Sequence, residues 1–254
     1  MVKKGKSFDS LMKHIRDSHN IEISGSDDKK KLINISYYHG YKGYKFYRDV
    51  EHPFSGIHDF NQIIAIANFD QQMKEIFYPL SMMFETLIKN LIVNFSVLNI
   101  DPSFENVYKE KLTFYRSQCG RTRTKSINKR LRLKNDFDSK IAFAYSNNNV
   151  VIKHYIEENK SVPLWALFEV ISLGNVGNYV SCLDKDDKRK VAEFLRIYDS
   201  QYDENVKAVD QSIFLIKDLR NAVAHNHIIF DCRFRDHTHG VARNLKETMY
   251  FLII

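Results

Sequence analysis

The sequence predicts an all-α protein, because turn residues are scarce and apolar residues recur at helical spacing. The 254 residues include only four prolines and nine glycines. A many-turned β-sandwich would need more of both, so their scarcity favours long helices. The hydrophobic content of 44% is sufficient for a packed core. Several segments place apolar residues three and four positions apart, the period of an amphipathic helix.

The N-terminal part is polar and ends in a tyrosine-rich segment. A loop is predicted at 24–28, and 37–47 reads as a compact connector or short helix because glycines interrupt it. Its tyrosines alternate with basic residues and could stack on nucleotide bases, but a role in covering the core is favoured. We predict an N-terminal extension over 1–56 and a helical domain over 57–254.

The strongest helical signal runs from 57 to 98. Its apolar stripe comprises Phe69, Met73, Ile76, Phe77, Leu80, Phe84, Leu87, Ile88 and Leu91. This stripe is predicted to pack inside a helix bundle. Pro79 lies within it and is expected to kink or divide the helix. Nearby, Glu85 is interpreted as a carboxylate paired with a cation, and Asp70 as a helix-end residue.

Residues 99–160 are predicted to form an insertion with a basic cluster. The cluster holds seven cations and no acid, namely Arg121, Arg123, Lys125, Lys129, Arg130, Arg132 and Lys134. Such a cluster can neutralise several phosphates of an RNA, which makes affinity depend steeply on salt. The alternative is a solvated, partly disordered charged loop. RNA contact is the favoured interpretation.

Further helices are predicted over 164–174, 176–183, 186–197 and 203–225. The first should end at Gly174 as a C′ residue, with Trp165 in the core. Asp184 or Asp186 should cap the third. The last helix is expected to bury Ile213, Ile216, Leu219 and Val223.

Four polar residues near the end of this last helix could perform chemistry. Lys217, Asn221 and His225 step by four residues and share a face, with Arg220 beside them. Lys217 is predicted to bind RNA. An imidazole, with an unperturbed pKa of about 6.5, can take a proton from a ribose hydroxyl near neutrality. A guanidinium can bind phosphate oxygens, and Asn221 could hold the imidazole or a phosphate. The spacing alone is readily explained by chance, because the chain has 10 histidines and 38 lysines and arginines. A histidine near a helix C-terminus is also favoured by the helix dipole.

Charge and cysteine content indicate the kind of binding partner and the cellular compartment. The net charge of +7 and pI near 9.1 favour a polyanionic partner, either nucleic acid or an anionic membrane surface. Three cysteines without a CxxC pair argue against a disulfide framework and fit a reducing cytosol. No signal peptide or membrane span of roughly 20 apolar residues is expected, so the protein is predicted to be cytoplasmic.

A metal site is not expected. Cys232, His237 and His239 lie near His225 and His227, which could suggest zinc, but their spacing matches no common zinc-binding pattern. No cofactor is predicted either.

Four segments together resemble a known family. They are 37–47, with its "Y…GY…F" pattern; 68–89, similar to "Y-x-FD…IE…lR"; 162–174, similar to "P-x-W…E…fG"; and 220–225. The last resembles the Arg-x(4–6)-His motif of the HEPN superfamily, and the whole order resembles the Abi family of abortive infection proteins, the branch with AbiD and AbiF.

The resemblance implies a HEPN-type helical bundle that forms a homodimer. Both protomers would bring Arg220, Asn221 and His225 to a shared cleft that cuts RNA without a metal. It also implies phage defence or toxin–antitoxin control, with a structured noncoding RNA as a regulator in some relatives. Two alternatives stay open: a non-catalytic RNA-binding protein, and a toxin that needs a partner nucleotidyltransferase.

Overall fold

The computed structural model describes residues 5–45, 56–201 and 206–230, and the prediction of an all-α fold is confirmed. Within these ranges there are isolated bridges but no β-strand. The helices are α1 Phe8–His19, α2 Ser26–Ile35, a π-helix Ser36–Lys42, α3 Gly43–Lys45, α4 Phe60–Val97, α5 Phe104–Glu110, a 3₁₀-helix Phe114–Ser117, α6 Gly120–Ser146, α7 Val150–Glu157, α8 Leu164–Val170, α9 Leu173–Cys182, α10 Lys185–Phe194 and α11 Ala208–Ala224.

Residue contacts divide the chain into two units. Among the described residues, the first comprises 5–45, 56–80 and 219–230, and the second comprises 81–201 and 206–218. Helices α4 and α11 each contribute residues to both. The predicted domain division at residue 56 stays a prediction.

The core of the first unit is built on the tyrosine-rich segment. Tyr37, Tyr41 and Tyr44 are buried, and Tyr41 stacks on Phe60 of α4 with 6.2 Å between ring centroids. The favoured interpretation of these tyrosines as core residues is therefore confirmed for these three, whereas Tyr38 is 78% exposed.

The loop predicted at 24–28 is shorter than expected, because α2 already begins at Ser26. Asp28 is buried within this helix. Its carboxylate accepts a hydrogen bond from the Ser24 backbone N–H at 2.6 Å and pairs with Lys31 at 2.9 Å. This side chain ties the residues before α2 to its first turn.

Helix α4 continues through Pro79, so Pro79 does not divide it, and the alternative of a kink stays a prediction. Its predicted stripe is also mostly not core. Phe69, Ile76, Leu80 and Leu87 are between 47% and 61% exposed, while Ile88 and Leu91 are buried. The buried positions of α4 in the first unit are Phe60, Ile63, Ala67, Asp70 and Lys74. The helical period of α4 was predicted correctly. Its buried face was not, because that face includes the charged pair Asp70 and Lys74.

The second unit packs around Tyr179, whose ring stacks on Phe137 and whose hydroxyl donates to Ser96 Oγ at 2.8 Å. Burial raises the pKa of the Tyr179 hydroxyl well above its ordinary value, so it remains a donor. The predicted insertion contains α6, a 27-residue helix whose residues Leu133 and Phe137 are buried. A disordered loop is therefore excluded for the basic cluster.

The segment 164–174 is broken where one helix was predicted. Helix α8 ends at Val170, and Ser172 caps α9 in a capping box with Asn175, which places Gly174 in the first turn of α9. Trp165 is 46% exposed, so its assignment to the core is wrong. The N-cap role predicted for Asp184 is confirmed, since its carboxylate accepts from the Asp186 backbone N–H.

Among the described residues, α4 is the one helix long and apolar enough to cross a membrane by length and composition. One such helix is weak support for a span, and the finding is consistent with a soluble protein.

Candidate active site

The predicted catalytic motif occupies the C-terminal end of α11. This helix begins at Ala208, later than predicted. His225 is the last residue on the helical path, because its N–H still donates to the Asn221 carbonyl at 3.0 Å. His225 is exposed.

The turn after His225 is a Schellman motif. Asn226 has φ +55°, in the left-handed region, and its N–H donates to the Val223 carbonyl. The N–H of His227 reaches back to the Ala222 carbonyl at 2.7 Å. These two hydrogen bonds end the helix and direct the chain away immediately beyond the imidazole.

Arg220 and Asn221 contact each other directly. The Nη1 atom of Arg220 donates to the Asn221 side-chain oxygen at 3.2 Å, and both residues are half-buried. Asn221 thus orients the guanidinium in this structure, rather than the imidazole. The ring of His225 lies 6.1 Å from the ring of His227, centroid to centroid.

A buried carboxylate on α4 holds the segment that follows the motif. Both Asp70 Oδ1 contacts to this segment are short: the backbone N–H groups of Ile229 and Phe230 donate to it at 2.7 Å each. The other carboxylate oxygen pairs with Lys74 at 2.7 Å and accepts from the Tyr44 hydroxyl at 3.0 Å. Asp70 is therefore fully buried inside α4 and not at a helix end, which corrects the prediction.

Lys74 extends this network to the turn itself. Its ammonium donates to the Asn226 side-chain oxygen at 2.8 Å while it pairs with Asp70. Burial, and then the neighbouring carboxylate, raise the pKa of Tyr44 well above its ordinary value, so its hydroxyl stays protonated and donates. The sequence analysis did not predict that Asp70, Lys74 and Tyr44 form a network, although an Asp and a Lys four residues apart in an apolar helix indicate a buried pair.

Lys217, predicted to bind RNA, belongs to the second unit. Its ammonium pairs with Asp218 at 2.8 Å and lies 5.7 Å from the centroid of the Phe214 ring. An RNA phosphate would have to compete with Asp218 for this charge. The role of Lys217 in RNA binding stays a prediction.

The basic cluster on α6 separates into two groups. Arg130 packs on the Tyr108 ring at 3.6 Å and donates to the Tyr108 carbonyl, and Lys134 pairs with Asp138 at 2.8 Å. These two cations have structural partners. The remaining five are exposed: Arg121, Arg123, Lys125, Lys129 and Arg132.

Four of the exposed cations share one face of α6. Their spacing of four, four and three residues forms the α6 cation stripe, which consists of Arg121, Lys125, Lys129 and Arg132. The stripe is about 16 Å long at 1.5 Å per helical residue. A row of cations of this length can contact several successive phosphates of one strand.

Two other predicted features can be compared with the structure. Glu85 pairs with Lys89 at 3.1 Å, which confirms its interpretation as a paired carboxylate. Over the part of the chain that the structure describes, no three His, Cys, Asp or Glu residues are placed to hold a metal ion. Cys232, His237 and His239 lie outside the described residues.

Comparison with known proteins identifies the family. The family model for Abi-like proteins matches residues 30–231, which includes the tyrosine-rich segment, α4, α8 and the motif at the end of α11. No curated protein and no solved structure matches the chain. Because the family model covers well over half of the sequence, the chain belongs to the Abi-like proteins, a family of abortive infection and phage defence.

Proposed function

We propose that this protein is a metal-independent endoribonuclease of the HEPN type. It would act in phage defence, either by abortive infection or as the toxin of a toxin–antitoxin pair. The observation that carries the proposal is the placement of His225, exposed at the end of α11, five residues after an arginine whose guanidinium is oriented by Asn221. A base and a phosphate ligand are the minimum that RNA cleavage without a metal requires.

The chemistry is an attack within the RNA chain. The imidazole of His225 takes the proton of a ribose 2′-hydroxyl, and the 2′-oxygen forms a bond to the adjacent phosphorus. The bond from phosphorus to the 5′-oxygen breaks, and that oxygen leaves with a proton supplied by a second imidazole. Arg220 offsets the negative charge that develops on the phosphate oxygens. The products are a 2′,3′-cyclic phosphate and a 5′-hydroxyl.

A second imidazole is available if the protein is a homodimer, as the HEPN resemblance implies. The exposed apolar face of α4 supports such a pairing. In the first unit Phe69, Ile76 and Leu80 are 54%, 61% and 53% exposed, and together with Met73 they follow alternating steps of four and three residues. This is the spacing of a helix-packing seam. None of these four positions is charged, so pairing along this seam places no like charges directly opposite each other.

The α6 cation stripe supports RNA as the partner. Four exposed cations on one helical face would bind the phosphates of a substrate, or of a structured noncoding RNA that regulates the protein. We propose a cytoplasmic location, where both RNAs are present.

The test is an incubation of the purified protein with RNA in excess EDTA, followed by analysis of the new ends. The proposal expects cleavage with 2′,3′-cyclic phosphate and 5′-hydroxyl ends. Cleavage that stops in EDTA, or products with 3′-hydroxyl ends, would reject the mechanism.

The α6 cation stripe also favours a second candidate, a non-catalytic RNA-binding protein. In that case RNA would bind with the same salt dependence but remain intact. Replacing Arg220 and His225 would then leave the defence phenotype unchanged, which separates the two candidates.

A further inference from the structure

The turn that follows His225 is held by a buried ion pair from another helix. Lys74 donates to the side chain of Asn226 at 2.8 Å, and Asp70 accepts the N–H groups of Ile229 and Phe230 at 2.7 Å each. The two side chains pair with each other at 2.7 Å, and Lys74 is 6% exposed and Asp70 0%. The residues they join are separated by more than 150 positions in the sequence.

An ion pair of this kind is costly to bury for stability alone. Removing two charges from water costs several kcal/mol each, and a buried pair often stabilises a fold no better than apolar residues would. This pair satisfies its remaining hydrogen-bonding capacity almost entirely with the turn and with Tyr44. The geometry of the contacts is therefore directed at one short segment, residues 226–230.

We propose that Asp70 and Lys74 are positioning residues that fix His225 for catalysis, an inference that rests on the proposed nuclease function. His225 is exposed, and its backbone N–H donates to the Asn221 carbonyl of α11. We therefore infer that the turn beyond it determines where the imidazole points. Lys74 restrains Asn226, the next residue, and Asp70 restrains the chain three residues later. A catalytic group displaced by about 1 Å loses on the order of a hundredfold in rate.

The sharpest variant is Asn226→Gly. Glycine adopts a φ of +55° without strain, so the backbone of the turn is retained while the acceptor for Lys74 is lost. The restoring variant is Asn226→Asp, which returns an oxygen to the same place. The matched control is Asn159→Gly, since Asn159 has φ +51° after α7 and lies far along the chain from the motif.

The experiment measures RNA cleavage at varied substrate concentration. Asn226→Gly should lower kcat about ten- to a hundredfold with little change in KM, while Asn226→Asp and Asn159→Gly should remain within about threefold of the wild type. An unchanged kcat in Asn226→Gly, or an equal loss in Asn226→Asp, would overturn the proposal.

A second measurement separates this inference from the nuclease itself. The ring signal of His225 is followed by NMR, and amide hydrogen exchange is followed at residues 227–230, in the wild type and in Asn226→Gly. A shifted or broadened ring signal with faster exchange supports the positioning role, even if the wild type cuts no RNA and the nuclease proposal fails. Unchanged signals and exchange would reject the positioning role, whatever the activity.

Discussion

The carboxylate of Asp70 and the backbone N–H of Ile229 are joined by a 2.7 Å hydrogen bond across 159 residues of sequence. Asp70 lies in the first third of α4, and Ile229 follows the motif at the end of α11 by four residues. The same carboxylate accepts the Tyr44 hydroxyl from the tyrosine-rich segment. Two of the segments that carry the resemblance to Abi proteins, and the residues that follow a third, therefore meet at one buried side chain.

Loss of the Tyr44 hydroxyl should destabilise the protein. Tyr44→Phe removes one of the two donors to Asp70 Oδ2 and leaves Lys74 as the other. Loss of a hydrogen bond to a charged group costs about 1.5–3 kcal/mol. Chemical denaturation followed by circular dichroism measures the change. Tyr38→Phe is the matched control, because Tyr38 is 78% exposed and its hydroxyl can be solvated without loss. Equal stability of both variants would contradict the role of the Asp70 network.

The exposed face of α4 should be needed for dimerisation. Ile76→Glu places a charge at a position that is 61% exposed and apolar, where two copies would have to bury it. Light scattering or analytical ultracentrifugation should show a dimer for the wild type and a monomer for the variant. Phe194→Glu, at a position that is 60% exposed in the second unit, should leave the dimer intact. A dimer that survives Ile76→Glu would move the interface elsewhere.

The α6 cation stripe should determine the salt dependence of RNA binding. Glutamine at Arg121, Lys125, Lys129 and Arg132 removes up to four phosphate contacts. The slope of log K against log salt should become shallower by about 3, at roughly 0.7 per phosphate for a single strand. The charge-matched control places glutamine at Lys109, Lys140, Lys153 and Lys160, outside the stripe. Equal slopes for both quadruple variants would exclude the stripe as the RNA contact.

Mixing two inactive variants tests whether the site is shared. The Arg220→Ala and His225→Ala variants are mixed, unfolded and refolded together, so that each mixed dimer contains one Arg220 and one His225. A small partial recovery of cleavage is expected, because the shared cleft then holds one base and one phosphate ligand but no second imidazole to protonate the leaving 5′-oxygen. A mixture as inactive as its components would mean that a single arginine and a single histidine do not suffice.

The sequence predicted helices better than it predicted their buried faces. Apolar spacing located α4 and α11, and the capping aspartate located the start of α10. The stripe of α4 was assigned to the core because apolar residues are usually buried, but its buried face carries Asp70 and Lys74, whose partners lie far along the chain. Pairwise contacts of that kind leave no local pattern. Trp165 was also wrongly assigned to the core, because its side chain is largely apolar and its exposure depends on tertiary packing.

The residues of the candidate site could be predicted from the sequence, but the contacts that hold them in place could not. The spacing of Arg220, Asn221 and His225 and the family resemblance located the motif. The contact between Arg220 and Asn221, and the Schellman turn at Asn226, follow from backbone geometry at the end of α11. The α6 cation stripe became visible only once the cluster was known to be helical, because a face requires a period.

The most direct test of the account compares RNA cleavage in EDTA by the wild type, Arg220→Ala, His225→Ala and the control His227→Ala. His227 is also exposed and its ring lies 6.1 Å from that of His225, so it shares the surroundings without the predicted role. We expect each motif variant to lose at least a hundredfold in cleavage rate while retaining its helical circular dichroism, and His227→Ala to stay active. Full activity in His225→Ala would contradict the account.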